Sequence, residues 1–420
     1  MTPSLANSAD LAALFEPLSE EPAIGLAVSG GADSLALLLL AHRWAAERTP
    51  QPRLHVYSVD HGLRAEARGE VAMVLDVAKQ LGIAARGLAW TGIKPRSGLQ
   101  EAARRARYGL MGAAMAEDGV GVLLTAHHRD DQAETVLMRM AHGSGIEGLK
   151  GMAHSAQVEG VRVVRPLLEV DPTALQEIVA AAGLTPAVDP SNDDDHYERV
   201  RWRKALPKLA TLGLDAAALG VFAERMAEAD AAIAQVADEY FTEIVRLDGF
   251  GAARIDIVPF VSLSPAIAVR VLGRVLNIVG GRQKPRALGQ VERLAAVIAD
   301  GALPKSATLM GCIVRFKDDA IAVAREPGRA VPPDAILLPN AQLIWDERFL
   351  ITNASAQSDL TASVADYLPR HRLEEFLGFK VTAPAEAIRT APIVRDAEGG
   401  VLSLGGWSFD DRITVQLLID

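Results

Sequence analysis

The stretch Val28-Ser29-Gly30-Gly31-Ala32-Asp33-Ser34 decides the fold of this chain. It follows an apolar run at 23–28 and precedes an apolar helical pattern at 35–47. Two adjacent glycines let a backbone approach an anion closely, and serine hydroxyls and free N–H groups at a helix start supply donors. The pattern therefore predicts a phosphate-binding turn between a buried strand and a helix. An ordinary strand–helix turn has the same composition, so both interpretations stay open on the loop alone.

The spacing within this loop excludes two common nucleotide-binding motifs. The loop does not read Gly-x-x-x-x-Gly-Lys-Ser/Thr, and no Gly-x-Gly-x-x-Gly follows the first predicted strand. Asp33 inside the turn would repel a bare phosphate. We therefore expect Asp33 either to begin the helix or to bind Mg²⁺ carried on the phosphates.

Outward from the loop, the first half of the chain alternates short apolar runs with helical patterns. The predicted strands are 23–28, 54–59, 84–88 and 121–125, and the predicted helices are 35–47, 66–81, 99–117 and 131–141. Four repeats of this kind indicate an α/β fold with a parallel, Rossmann-like sheet.

The pattern changes past Pro207. Helical spacing dominates there, with a short β-hairpin predicted at 305–325, and a proline-rich linker at 326–339 precedes mixed strand and helix signals. We predict three domains: an α/β catalytic domain (1–212), a mainly helical domain (213–328) and a small mixed α/β domain (335–420).

Composition narrows the class of protein. The 420 residues are 50% hydrophobic and carry a net charge of −10, which excludes a strongly basic nucleic-acid binder but not a local basic patch. The single cysteine, Cys312, excludes an internal disulfide, a four-cysteine zinc site and a two-cysteine sulfur relay. No signal-peptide pattern and no apolar run of about 20 residues is present. We expect a cytoplasmic enzyme with no membrane partner.

Five stretches of the first half together resemble a known family. Ser29–Ser34 resembles the Ser-Gly-Gly-x-Asp-Ser loop of the ATP pyrophosphatases, the PP-loop superfamily, which cleave ATP to AMP and pyrophosphate. The stretches at 59–64, 99–108, 125–135 and 189–201 follow in the order found in the tRNA(Ile)-lysidine synthetases of that superfamily. The resemblance covers about the first 210 residues, and the small domain predicted at 335–420 is similar to the C-terminal domain of that family, which implies that it contacts tRNA.

This resemblance implies a two-step ligation of free lysine to the wobble cytidine of an isoleucine tRNA with a CAU anticodon. ATP adenylates the cytosine C2 oxygen and releases pyrophosphate, and the lysine ε-amine then attacks C2, expels AMP and leaves lysidine. ATP, Mg²⁺, lysine and the tRNA are the expected substrates and partners. A tRNA thiolation enzyme is the alternative within the superfamily, and a single cysteine argues against it. A small-molecule amidating synthetase and a non-catalytic nucleotide-binding module are the alternatives from other classes.

The resemblance also assigns the nucleotide site and the catalytic candidates. It implies that ATP is bound by Ser29, Gly30, Gly31, Ala32, Asp33, Ser34 and Arg104, with Mg²⁺ on Asp33. The catalytic candidates are Asp33, His61, His127 and Asp131. The lysine ε-amine must lose a proton before it attacks, and His61, His127 and Asp131 are all candidates for the base.

The resemblance implies that Asp131 and Glu134 bind the lysine substrate. They stand three residues apart at the start of a predicted helix, so both carboxylates share one face. Two like charges this close repel one another unless a cation lies between them, and either Mg²⁺ or an ammonium group of lysine would serve. A solvated helix start, where the dipole favours acidic residues, is the plainer interpretation of the same spacing.

Two windows are basic against the acidic trend of the chain. One is Lys94 to Arg107, and the other is Arg199 to Lys208, which holds five basic side chains and no acidic one. Clusters of this kind neutralise nucleic-acid phosphates, although a solvated charged face looks the same in sequence. We predict that tRNA is contacted by Arg199, Arg201, Arg203 and Lys204.

Overall fold

The computed structural model describes residues 5, 7–64, 66–92, 94–95, 97–187, 194–281, 288–302, 305–317, 319–328, 332–356, 360–365 and 369–419. The chain divides into two compact units, Met1–Glu228 and Ala229–Asp420. The boundary predicted at residue 212 lies inside the first unit, and the three-domain division stays a prediction.

The first unit is built on a six-stranded sheet with the strand order β3-β2-β1-β4-β6-β5. Its strands are β1 (Ala23–Ala27), β2 (Arg53–Asp60), β3 (Ala84–Ala89), β4 (Val122–Leu124), β5 (Ser155–Val158) and β6 (Val161–Val164). The first four strands and β6 run parallel, and β5 pairs antiparallel with β6. The parallel α/β prediction is confirmed.

The described part of this unit contains eight complete α-helices, and a ninth begins in it and continues into the second unit. They are α1 (Ser8–Phe15), α2 (Ala32–Ala46), α3 (Ala67–Gln80), α4 (Leu99–Asp118), α5 (Arg129–Ala141), α6 (Ile146–Leu149), α7 (Pro172–Ala181), α8 (Glu198–Ala210) and α9 (Ala216–Ile244). Strand β1 and helix α2 are buried along most of their length, because both are nearly all apolar and lie at the centre of the unit.

The strand order indicates which edge of the sheet is expected to bind a ligand. The chain moves outward from β1 to β2 and β3, and then returns to β4 on the other side of β1. Open α/β sheets bind ligands at the carboxyl ends of the strands where the order reverses in this way. The loop after β1 and the segment after β4 both lie at this reversal, and these are the two richest motifs of the sequence.

The second unit combines helices with three antiparallel sheets. Its further helices are α10 (Ile257–Val261), α11 (Pro265–Gly280), α12 (Leu288–Ala299), α13 (Arg370–Leu377) and α14 (Ala385–Thr390). Its strands are β7 (Val245–Leu247), β8 (Ala253–Asp256), β9 (Ala307–Leu309), β10 (Cys312–Lys317), β11 (Ala320–Arg325), β12 (Ala335–Leu337), β13 (Ala341–Trp345), β14 (Phe349–Asn353), β15 (Leu360–Val364), β16 (Pro392–Arg395), β17 (Val401–Leu404), β18 (Trp407–Ser408) and β19 (Ile413–Leu417).

The sheets of this unit have the orders β7-β8-β11-β10-β9, β12-β15-β16-β17-β18 and β13-β14-β19. The hairpin predicted at 305–325 is the β10–β11 pair, and the sequence did not reveal that β7, β8 and β9 extend it. The predicted linker at 326–339 contains strand β12. Within the described part of the chain, no helix is long and apolar enough to cross a membrane.

Candidate active site

The conformation of the glycine–serine loop after β1 is fixed by hydrogen bonds of one serine, Ser34. The hydroxyl of Ser34 donates to the carbonyl of Gly31 at 2.9 Å and accepts from the backbone N–H of Ser29 at 3.2 Å. Helix α2 begins at Ala32, so the N–H groups of its first turn have no partner within the helix. The loop therefore presents backbone donors and a helix dipole to an anion, while Ser34 is buried and shapes the loop.

Gly30 occupies a backbone conformation that favours glycine. Its φ is +91°, and a Cβ there would lie 3.0 Å from Cε of Met73. Its carbonyl accepts from the N–H of Ala187 at 2.9 Å, which ties the loop to a later segment of the chain. Glycine at this position therefore meets a conformational requirement, in addition to allowing the close approach of the backbone to an anion that the sequence predicts.

His128 joins the loop to helix α5. Its Nε2 lies 3.6 Å from a carboxylate oxygen of Asp33 and 3.4 Å from one of Asp131. Burial opposes a charge on this ring, but the hydrogen bond to Asp33 and the charge of Asp131 outweigh it and raise the pKa of His128. A cationic imidazolium between two carboxylates is therefore favoured at the centre of the site.

The two carboxylates predicted to share a face of α5 do so, and this chain supplies the cations between them. Arg199 of α8 donates from Nε to Glu134 at 2.6 Å and from Nη2 to Asp131 at 2.7 Å. Arg203 donates from Nε to the other oxygen of Glu134 at 2.7 Å. Glu134 is fully buried, whereas the two arginine side chains are 40% and 45% exposed. We call these four residues the acidic side of the site.

The electrostatics of Asp131 follow from this arrangement. Burial would raise the pKa of its carboxyl, but the charges of His128 and Arg199 and the backbone N–H of His128 lower it. Asp131 Oδ2 accepts that N–H at 3.1 Å and thereby caps the start of α5. Asp131 is therefore an ionised, fully engaged carboxylate, which makes it a weak candidate for a base.

His127 is influenced by the charges of both Asp131 and a group of arginines. Its Nδ1 is 2.9 Å from the hydroxyl of Thr125. Burial lowers the pKa of His127 to about 4, and the charges of Arg165, Arg199 and Arg107 act in the same direction against that of Asp131. The ring is therefore neutral at pH 7.

The opposite side of the site is cationic. Arg104 and Arg107 on α4 lie over the ring of Tyr108, with guanidinium carbons 5.0 and 5.4 Å from its centre. Arg165 directly follows β6 and is 4% exposed. His61, after β2, is affected by the same group, since burial and the charge of Arg107 lower its pKa. We call Arg107, Arg165 and His61 the cationic side of the site.

The predicted tRNA contacts separate into two pairs. Arg199 and Arg203 point into the acidic side, whereas Arg201 donates to the carbonyls of residues 195 and 196 and Lys204 pairs with Asp195. The predicted Asp189-Pro190-Ser191-Asn192 motif lies outside the described residues. A cavity of about 470 Å³ between α5 and the first half of α9 is lined by none of the predicted site residues.

Asp33 is placed where a magnesium ion carried on phosphates would need it. Its carboxylate is 40% exposed and stands in the first turn of α2, beside the donors that face an anion. No group of three or more His, Cys, Asp or Glu suited to a metal is found among the described residues. Mg²⁺ in nucleotide sites takes one or two carboxylates and completes its shell with phosphate oxygens and water, so a single carboxylate fits.

One residue of the site was missed from the sequence. Arg165 was read only as the residue before a proline, because the short strands β5 and β6 were not predicted. The signal was present in the run Val161-Arg162-Val163-Val164, an apolar segment whose end would carry Arg165 to the ligand-binding edge of the sheet.

The loop, the strand reversal and the surrounding charges define an ATP-binding PP-loop domain. A model of the PP-loop domain matches residues 3–210. The tRNA(Ile)-lysidine synthase of Bradyrhizobium sp. (strain BTAi1 / ATCC BAA-1182) is 40% identical over 342 residues, which cover 77% of this chain and 95% of that protein. The tRNA(Ile)-lysidine synthase of Rhodopseudomonas palustris (strain ATCC BAA-98 / CGA009) is 42% identical over 327 residues, which cover 75% and 94%.

The chain belongs to the tRNA(Ile)-lysidine synthase family. Membership confirms the resemblance drawn from the five sequence stretches, and with it an ATP-using enzyme that modifies tRNA by forming lysidine.

Proposed function

We propose that this chain joins free lysine to C2 of the wobble cytidine in an isoleucine tRNA with a CAU anticodon, using ATP and releasing AMP and pyrophosphate. One observation carries the proposal beyond family membership. A buried carboxylate pair, Asp131 and Glu134, lies next to the PP loop through His128, so a cation-binding site adjoins an anion-binding site. A ligation of an amine driven by ATP needs these two sites side by side.

In the first step the loop at 29–34 binds the phosphates that leave as pyrophosphate. Backbone N–H groups of the first turn of α2 would face them, and Asp33 would hold the Mg²⁺ that accompanies ATP and supplies neutralisation of the phosphate charge. The cytosine C2 oxygen attacks the α-phosphorus, and the bond to the bridging oxygen breaks. Arg104, which lies over the ring of Tyr108, and His61 would stabilise the negative charge that develops there.

In the second step the acidic side receives lysine. An ammonium group of lysine replaces a guanidinium group against Asp131 and Glu134, which exchanges one cation for another at carboxylates that are already buried. Arg199 and Arg203 are exposed enough to turn towards solvent when this happens. They would keep the carboxylates ionised and in position before lysine arrives.

Among the three candidates for the base, His127 has the most suitable state. It is neutral at pH 7 and lies beside the acidic side, with Nδ1 fixed by Thr125. Asp131 is occupied by ion pairs and a backbone donor, and His61 belongs to the cationic side. We therefore assign to His127 the proton that the amine loses as the bond to C2 forms.

Two further parts of the proposal concern the tRNA and the alternatives. Arg201 and Lys204 are the outward members of the basic window and would contact the tRNA backbone, while Arg199 and Arg203 would act inside the site.

Cys312, the one cysteine of the chain, is fully buried, and burial raises the pKa of its thiol to about 12, so a sulfur-transferring role is not supported. The place of action would be the cytoplasm, where tRNA, ATP and lysine occur together.

The test is incorporation of radiolabelled lysine into tRNA by the purified full chain. We expect ATP-dependent labelling of an isoleucine tRNA with a CAU anticodon, with one AMP and one pyrophosphate released per lysine, and no labelling of a methionine tRNA with the same anticodon. Absence of labelling with enzyme that still releases pyrophosphate would refute lysine as the second substrate.

A further inference from the structure

Trp90 lies at the ligand-binding edge of the sheet, and neither step of the reaction uses it. It directly follows β3, and its backbone N–H donates to the carbonyl of Asp60 at 2.9 Å, which extends the pairing of β2 with β3 by one residue. His61 follows Asp60, and its ring meets the indole ring edge-on with 6.5 Å between the ring centres. Trp90 therefore stands directly beside a residue of the cationic side.

The surrounding residues hold the indole ring in place without burying it. Nζ of Lys94 lies 5.6 Å from the centre of the ring and donates to the carbonyl of Gly62. A Cβ on Gly62 would lie 2.7 Å from that Nζ, and a Cβ on Gly92 would lie 3.1 Å from Nε1 of the indole. The two glycines thus make room for the lysine and the tryptophan, while the tryptophan remains half-buried.

The edge of the sheet around Trp90 is open and carries positive charge. β3 is an outer strand of the six-stranded sheet, and Leu63 and Arg68 are both exposed in the segment that follows β2. Lys94 begins the first of the two basic windows. Proteins stack unpaired RNA bases on partly exposed aromatic rings flanked by basic side chains, because every base offers a flat π face. The chemistry at Trp90 fits such a base.

We propose that Trp90, supported by Lys94, stacks against an unpaired base of the tRNA anticodon loop that flanks the wobble cytidine. The inference rests on the proposed function for the wobble cytidine as the reacting nucleotide. Neighbouring strands lie about 4.8 Å apart, so the end of β3 is about 10 Å from the loop after β1. The reacting cytosine must meet ATP at that loop. A base on Trp90 is therefore a neighbour of the reacting cytosine and not that cytosine itself.

The stacking would compensate for the opening of the anticodon loop. A cytosine that enters an active site leaves its stack, and this costs free energy because its neighbour loses a stacking partner. The indole ring replaces that partner from the protein side. The adenine of ATP is the other source of a flat base, but small-molecule pockets enclose most of their ligand. Trp90 instead stands on an outer strand beside exposed side chains.

The experiment measures binding of the full chain to the anticodon stem–loop of the isoleucine tRNA, without ATP or lysine. Three further stem–loops each lack one base: the wobble cytosine, the base on its 5′ side or the base on its 3′ side. Trp90→Leu removes the aromatic face and keeps apolar bulk, whereas Trp90→Phe keeps such a face. Trp202→Phe is the matched control, because Trp202 is also half-buried, lies in the same unit and donates to Glu198.

We expect Trp90→Leu to weaken binding of the intact stem–loop about 10-fold and Trp90→Phe to weaken it less. Removal of one flanking base should cost the wild type a similar factor and should cost Trp90→Leu nothing further, as expected for two groups in contact. Tryptophan fluorescence should fall when the wild type binds the stem–loop. That fall should be lost in Trp90→Phe and kept in Trp202→Phe, and the affinity for ATP should be the same in all variants.

The other outcomes overturn the proposal. Weaker binding of ATP with unchanged binding of the stem–loop would assign Trp90 to adenine. Removal of either flanking base at the same cost in Trp90→Leu and in the wild type would show that neither base contacts Trp90. If Trp90→Leu fails to fold, the fluorescence of Trp90→Phe carries the test. Binding is measured without lysine, so failure of lysine incorporation would refute the proposed function and leave this result standing.

Discussion

The two sides of the active site handle charge in opposite ways. On the acidic side, Asp131 and Glu134 are satisfied by Arg199 and Arg203 of the same chain. On the cationic side, Arg107 and Arg165 have no carboxylate partner among the described residues. On the acidic side, a ligand must therefore displace a guanidinium group from an existing ion pair. On the cationic side, a ligand can add a counter-charge without displacing any described group.

This difference predicts that the two sides bind their ligands in different ways. A cation entering the acidic side is exchanged for a guanidinium, so its affinity depends on how readily Arg199 or Arg203 moves away. An anion entering the cationic side is added without displacement, and it satisfies groups whose burial is already costly. His127 lies between the two sides and feels charges from both, which suits a residue that acts when the adenylated base meets the amine.

The largest effect is expected from Asp33→Asn, which removes the carboxylate charge of the PP loop itself and keeps the shape of the side chain. Pyrophosphate release in the presence of tRNA should fall at least about 100-fold if, as we propose, Asp33 holds the magnesium ion of ATP. The measurement is a coupled assay of pyrophosphate with equal amounts of folded protein. Release at the wild-type rate would reduce Asp33 to a helix-start residue.

Glu134→Gln tests whether the acidic side is closed by charge. The substitution removes the fully buried one of the two carboxylates that pair with Arg199 and Arg203 and leaves only Asp131, so we expect the free energy of unfolding to fall by about 1–3 kcal/mol. The loss is limited because both guanidinium groups reach solvent. Urea unfolding measures it, with Glu224→Gln, an exposed change in the same unit, as the control. A change no larger than the control's would mean that the ion pairs contribute nothing to stability.

The pH dependence of stability probes the residue between the two sides. His127 has a pKa of about 4 in the folded chain and 6.5 as an ordinary group, so the unfolded chain binds more protons between these values. Its contribution to stability is present above pH 6.5 and is lost as the pH falls towards 4. His128 has a raised pKa, and its contribution is present below 6.5 and is lost as the pH rises through the raised value.

Urea unfolding from pH 7 to 4 separates the two histidines. His127→Asn should flatten the loss of stability on acidification, and His128→Asn should steepen it. The same slope in both variants and the wild type would show that neither ring has a shifted pKa.

The smallest change in the free energy of unfolding is expected from a substitution on the cationic side, and any change there should be opposite in sign to that of Glu134→Gln. Arg107→Met removes a partly buried charge that has no carboxylate partner among the described residues, and it keeps the apolar length of the side chain. The free energy of unfolding should stay within about 0.5 kcal/mol of the wild type or rise. Thermal and urea unfolding measure this directly. A loss as large as that of Glu134→Gln would show that Arg107 has a partner within the chain and would remove the contrast between the two sides.

Much of the fold was accessible from the sequence because its signals are local. Strand-length apolar runs alternating with helical spacing gave the parallel sheet, and the glycine pair before α2 gave the anion loop. The spacing of Asp131 and Glu134 placed both carboxylates on one face, and a cation between them was one of the two interpretations that the sequence allowed. The short strands β5 and β6 were missed, since four residues each carry too little periodicity.

The identity of that cation was beyond the sequence. Arg199 and Arg203 lie 65 and 69 residues after Glu134, and only the packing of α8 on α5 brings them together. The same limit applies to Arg165 and Arg107, because a missing partner is a property of the folded surroundings. Sequence located the charges, and tertiary structure decided which of them are compensated.

The division between the two sides is tested most directly by measuring the two half-reactions separately in two variants. Glu134→Gln should retain tRNA-dependent pyrophosphate release and lose transfer of lysine to the adenylated tRNA. Arg165→Gln should lose pyrophosphate release and, when supplied with tRNA adenylated beforehand by the wild-type enzyme, still transfer lysine. Equal loss of both half-reactions in both variants would contradict the account.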